Sequence, residues 1–147
     1  MTKIKSLAIF FYCCVSLACT QTQVSEATKS TREAAFKDKY PNAKSVKWGV
    51  DDHGNHEANF KQNDEKYRAD FTPAGEWIET ENSIKFKHLP QAVQDAIKQR
   101  YDKDDIVEIE AVNHFQKGIF YDVEIDEKGA KKMDIEYNAL GKIIGTE

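Results

Sequence analysis

Past residue 19 the chain has no cysteine, because its three cysteines are Cys13, Cys14 and Cys19. Disulfides, thiolate zinc sites and cysteine nucleophiles are thereby excluded from everything that follows. Catalytic signatures are missing too. There is no G-x-S-x-G elbow, no Gly-rich phosphate cradle and no H-E-x-x-H, which argues against an enzyme and against a bound cofactor. Positive charge is short, with 21 Lys and Arg against 25 Asp and Glu. An excess of acid excludes nucleic acid and anionic membrane surfaces as natural partners. The apolar run Leu7 to Ala18 falls short of the roughly 20 residues a bilayer span needs.

That run has the length of a secretory h-region, and Lys3 and Lys5 supply the basic n-region ahead of it. Ser16-Leu17-Ala18 places small residues three and one positions before Cys19. Residues 1–18 are therefore expected to be a signal peptide and Cys19 a lipidated N-terminus, with plain secretion after Ala18 as the alternative. Cleavage would remove Lys3 and Lys5 and no acid, leaving 19 bases against 25 acids, a net charge of −6. Residues 19–30 are rich in Thr, Gln and Ser and read as a flexible tether. The expected location is the periplasm or an outer-membrane attachment, with the membrane touched only through the lipid.

Residues 31–147 read as one α/β unit written twice, in halves 31–86 and 87–147. Ala35-Phe36-Lys37-Asp38-Lys39-Tyr40 returns as Ala96-Ile97-Lys98-Gln99-Arg100-Tyr101, and Phe71-x-x-x-Gly75-x-Trp77-Ile78 returns as Tyr137-x-x-x-Gly141-x-Ile143-Ile144. Neither half could bury its apolar face alone, so the two are expected to share one sheet. Each half predicts a helix followed by about four antiparallel strands. Ser30-Thr31-Arg32-Glu33 has the form of a capping box at a helix start, and Pro41 stops that helix. Leu89-Pro90 opens the second helix, whose apolar stripe is Val93, Ile97 and Tyr101.

Alternation then marks the strands. The rows expected to point inward are Val46, Trp48 and Val50; Ala58 and Phe60; and Tyr67, Ala69 and Phe71. In the second half they are Val107, Ile109 and Ala111; Ile119, Tyr121, Val123 and Ile125; and Met133, Ile135 and Tyr137. The fold class is α+β, with helices packed on one face of a curved sheet and the other face open to water.

Phe36-x-x-x-Tyr40-Pro41-x-Ala43-x-x-Val46-x-Trp48, Phe71-x-x-x-Gly75-x-Trp77, Leu89-Pro90-x-x-Val93-x-x-x-Ile97 and Tyr137-x-x-x-Gly141-x-Ile143-Ile144 together resemble the PepSY-like family of exported bacterial proteins. That family is noted for its likeness to beta-lactamase inhibitor proteins. The resemblance covers about residue 31 to the end. It implies a tandem α/β repeat on a curved antiparallel sheet, and a binding or inhibitory role without catalysis.

If the apolar rows face the helices, the residues between them form the open face. In the second half these are Glu108, Glu110, Phe120, Asp122, Glu124, Asp134 and Glu136, with Lys132 among them. Residues 104–147 hold 11 acids against 5 bases, whereas residues 32–88 hold 11 against 10. Like charges on neighbouring strands destabilise a sheet, so such a row must be dispersed by register or offset by something positive. The face reads as a docking surface for a basic patch on an envelope protein or peptide, or else as a solvated surface that keeps the protein soluble. Other readings are a small-ligand or cation sensor and a structural envelope lipoprotein. Regular strands rarely converge the six to eight oxygens that calcium needs.

His53-x-x-His56 straddles a Gly54-Asn55 turn with no third ligand in view, so no metal site is expected there. His88 and His114 read as surface residues. Trp48 and Trp77 read as core. Ile78, Ile144, Phe115 and Phe120 are candidate apolar anchors on the open face.

Overall fold

The computed structural model describes residues 20–129 and 131–146, with only the backbone described at 20–28 and 30. Residues 1–18, expected to be a signal peptide, and Cys19 lie outside the described residues. Helix α1 spans Thr20–Lys39 and α2 spans Gln91–Lys98. The strands are β1 (Lys44–Val50), β2 (His56–Gln62), β3 (Glu65–Phe71), β4 (Trp77–Ser83), β5 (Ile106–His114), β6 (Gly118–Ile125), β7 (Met133–Asn138) and β8 (Ile143–Thr146). They form one eight-stranded sheet in the order β1 to β8, every neighbouring pair antiparallel. Helix α2 lies in the β4–β5 connection. Among the described residues no helix is long and apolar enough to cross a membrane.

Helix α1 starts ten residues before the expected capping box, and the stretch read as a tether is helical from Thr20. Residues 20–39 contain no proline or glycine, so nothing stops the helix from extending N-terminally. Lys37 and Lys39 sit in its last turn, where cations favour the negative end of the helix dipole. Helix α2 begins one residue after Pro90, which occupies the cap position.

Directly opposed residues share a sheet face, and one face carries both helices. Phe36 of α1 is buried among Ala58, Phe60, Ala69 and Phe71, and its ring meets those of Tyr40, Trp48, Phe60 and Phe71 at centroid distances of 5.0–6.3 Å. Trp48 and Trp77 pack against this cluster, as expected. Val93 and Ile97 of α2 are fully buried against Ile109, Val123, Ile125, Ile135 and Tyr137. Each such side chain taken fully out of water contributes about 1.5–3 kcal/mol. Beside the first cluster Thr80 accepts a hydrogen bond from the Trp77 indole at 2.9 Å and meets the Tyr40 hydroxyl.

Two glycine turns dock onto the helices. Gly75, at φ +89°, lies against the backbone of Arg32, and Gly141, at φ +75°, lies against the carbonyl of Ala92. At Gly141 an added Cβ would overlap that carbonyl, so the turn needs glycine for both its backbone angle and its close approach.

Four expected inward residues are exposed instead. Val107 is 52 % exposed because the β5–β6 register slips between Ile106 and Glu108. Ile119 is 63 % exposed at the β5–β6 hairpin end, opposite Asn113. Val46 and Val50 lie on the edge strand β1, whose register slips between Lys44 and Lys47. With a partner strand on one side only, β1 leaves both valines uncovered.

Candidate functional site

The face away from the helices is built from four cross-strand rows. The central row runs Asn59, Arg68, Glu81, Val112, Phe120, Asn138 across β2 to β7. On one side lies Glu57, Asp70, Glu79, His114. On the other lies Ser83, Glu110, Asp122, Glu136, Gly145. Beyond that, Glu108, Glu124 and Asp134 stand opposite one another on β5, β6 and β7.

All seven residues expected on the open face therefore stand on it. Register does not disperse the acids; it aligns them in two rows of three. Two lysines offset them. Lys132 Nζ lies 2.5 Å from Glu124, and Lys117 Nζ lies 2.5 Å from Glu136. The Ser83 hydroxyl donates to Glu108 at 2.5 Å.

A recess of about 300 Å³ opens on this face, walled by Glu79, Glu81, Glu110, Asp122, Asp134 and Glu136. Val112 and Phe120 line it on the central row and are 3 % and 4 % exposed. Phe120 was expected as an exposed apolar anchor. It is covered, with the Lys117 ammonium 5.1 Å from its ring centroid. Ile144 and Phe115 are exposed and Ile78 is half-buried.

Arg68 is the basic side chain on the central row. Its guanidinium pairs with Glu81, lies 3.5 Å from Asp70 and 4.0 Å from Glu57. Arg68 and Lys117 together cannot balance the six carboxylates that line this partly desolvated recess. Burial pushes the Glu81 carboxyl up to about 8; the charge of Glu110 adds to the rise and Arg68 opposes it. Burial pushes Asp70 up to about 6 against the pull of Arg68. Glu110 is raised by burial and then by Glu108. The arrangement is thus short of positive charge, and it would gain from an incoming ammonium or guanidinium.

The contribution of β3 and β4 was missed in the sequence. Arg68, Asp70, Glu79 and Glu81 occupy the alternate positions of their strands, and the alternation rule applied to the first half would have found them. Their near-neutral surroundings hid them, since 11 acids and 10 bases in residues 32–88 suggest no patch.

The histidines do not gather. His53 is in the β1–β2 turn beside Asp51, whereas His56 on β2 bonds the Arg32 guanidinium at 2.7 Å through Nδ1. Burial and the Arg32 charge lower the His56 pKa. His88 is exposed. His114 accepts from the backbone N–H groups of Gln116 and Lys117, tightening the β5–β6 turn. Among the described residues no group of three or more His, Cys, Asp or Glu is placed to hold a metal ion.

The same fold occurs in solved bacterial proteins. A DUF2874 family protein from Bacteroides ovatus ATCC 8483 superposes with a TM-score of 0.71 at 22 % identity, covering 80 % of this chain and 84 % of that one. A protein from Bacteroides eggerthii DSM 20697, described as periplasmic, gives 0.69 at 21 % identity over 80 % and 86 %. A BLIP-like protein from Bacteroides fragilis NCTC 9343 gives 0.68 at 20 % identity over 80 % and 84 %. No functionally curated protein matches the chain in sequence. The model of the PepSY-like, beta-lactamase-inhibitor-like family matches residues 54–145, and the chain belongs to that family.

Proposed function

We propose that the chain is an exported, non-catalytic binding module whose open sheet face holds a basic segment of an envelope protein or peptide. The alignment of acids carries this reading. Glu110, Asp122 and Glu136 stand side by side, as do Glu108, Glu124 and Asp134. Each like-charged pair costs about 0.2–1 kcal/mol. A partner bringing lysine or arginine into the recess offsets that cost and gains charge-assisted hydrogen bonds. Asp134 and Glu136 of β7 line the recess at one end, and Arg68, already paired with Glu81, lines it at the other.

The likeness to a BLIP-like protein supports an inhibitory mode, in which the target is itself a protein of the envelope. Export is supported by the leader-like residues 1–18 and by the periplasmic description of a structural neighbour. In this reading Cys19 carries a lipid and residues 31–147 form the binding domain. Two halves, 31–86 and 87–147, are supported by the matching positions of Gly75 against α1 and Gly141 against α2.

The test is capture from envelope extract at low and high salt, comparing the native chain with a Glu110→Gln, Asp122→Asn, Asp134→Asn variant. A partner retained by the native chain at low salt, and lost both at high salt and from the variant, is the expected result. A partner bound equally by the folded variant would show that the acid rows are only a solvated surface.

A further inference from the structure

A second recess lies on the other side of the molecule, where the chain crosses from β4 to β5. The turn Phe86–His88, helix α2, the turn Lys103–Asp105 and the start of β5 enclose a cavity of about 280 Å³. Ile97, fully buried in the core, lines it together with Phe86, Tyr101 and Ile106, which are only partly buried. The remaining lining is basic or neutral: Lys87, Lys98 and Lys103, with Gln94. No acidic side chain lines it.

That lining is opposite in sign to the chain as a whole, whose net charge is −4. The nearby acids Asp95, Asp102, Asp104 and Asp105 do not line it. Asp95 accepts from Gln91 at 2.7 Å, and Asp105 accepts from the backbone of Asp102 at 3.0 Å. Among the described residues none of the three lysines makes an ion pair with a carboxylate. The Lys98 ammonium instead lies 5.6 Å from the Phe86 ring centroid. Apolar walls select an alkyl or aromatic body, and a lysine rim selects a negatively charged head. At about 280 Å³ the cavity is just below the roughly 300–1,000 Å³ typical of ligand sites. It suits a short-tailed molecule and is too small for a two-chain lipid.

We propose that this cavity binds a small amphipathic monocarboxylate, its apolar body against Phe86, Ile97 and Tyr101 and its carboxylate at Lys98 and Lys103. The site is separate from the acidic face, so its fate does not depend on the docking role.

The experiment is a titration of the isotope-labelled full chain with hexanoate and octanoate, followed by backbone amide NMR, with octylammonium as the control. Saturable shifts are expected at Phe86, Lys98, Tyr101 and Ile106. Each added methylene should tighten binding about fourfold, so octanoate should bind about fifteenfold tighter than hexanoate. Octylammonium should bind at least tenfold more weakly. A Lys98→Glu, Lys103→Glu variant should lose at least tenfold in octanoate affinity. A Lys98→Gln, Lys103→Gln variant gives the same test without reversed charge, should the first fail to fold. Shifts absent from these residues, equal binding of octylammonium, or an unchanged affinity in a folded variant would each overturn the proposal.

Discussion

Replacing Glu81 by Gln should stabilise the protein at alkaline pH, and the size of the gain follows from the burial of this one carboxyl. Glu81 stands on the central row of the open face, 6 % exposed, opposite Arg68 on β3 and Val112 on β5. Its carboxyl titrates near 4.5 when unfolded and is pushed up to about 8 when folded. Between those values the folded chain keeps a proton that the unfolded chain has released, so the stability this group contributes is complete below pH 4.5 and is lost as pH rises towards 8. Taken whole, that difference is about 5 kcal/mol. Part of it belongs to the coupling with Glu110 and Arg68, which relax when Glu81 is gone, so the expected gain is on the order of 2–4 kcal/mol at pH 8. Gln keeps the volume and an acceptor for Arg68 but never ionises. Urea unfolding of both proteins at pH 5, 6.5 and 8, read by circular dichroism, measures the difference. His56 works in the opposite direction, since its lowered pKa makes stability fall as pH drops through its titration, but it is common to both proteins and cancels. A variant advantage that fails to grow from pH 5 to pH 8 would refute the reasoning.

Three further outcomes are expected in the same assay. Gly141→Ala should cost about 3 kcal/mol, combining the left-handed backbone with overlap on the Ala92 carbonyl, whereas Gly54→Ala, at φ +85° with open space around it, should cost about 1–2 kcal/mol. Tyr137→Phe should raise stability by about 1 kcal/mol, because the Tyr137 hydroxyl is buried without a hydrogen-bond partner. Phe36→Ala should cost about 3–5 kcal/mol through loss of the ring that joins α1 to four aromatic neighbours. A cost below about 1 kcal/mol would mean that α1 contributes little to the fold.

The strands and their faces were legible because alternation is a local property. Ala58, Phe60, Ala69, Phe71, Ile109, Val123, Ile135 and Tyr137 are all buried under the helices. The exceptions fall where alternation is interrupted or a neighbour is missing. Val107 lies at a slip in register and Val46 on an edge strand, and neither condition is written in the residues themselves. The start of α1 was misread because Ser30 and Glu33 have the chemistry of a cap, yet a cap competes with continued helix wherever no breaker precedes it. The acids of the open face were visible one strand at a time. Their alignment into rows depends on register, which the hairpin turns set and no single strand reveals. The partnership of Arg68 with Glu81 is set by the register of the β3–β4 pair, which slips between Asp70 and Phe71. Phe120 shows the same limit, since it sits between Val112 of β5 and Asn138 of β7, with Lys117 of its own hairpin turn over the ring.

The central claim, that the open sheet face is where the protein meets its partner, is tested most directly by carboxylate footprinting. Carbodiimide labelling of the full chain, with and without envelope extract at low salt, would be compared at Glu110, Asp122, Asp134 and Glu136, with Glu33 of α1 and Asp64 of the β2–β3 turn as references. Docking on this face should cost the four face residues their labelling in the extract while the two references keep theirs. Equal labelling of the face in both conditions, or protection centred on Glu33, would contradict it.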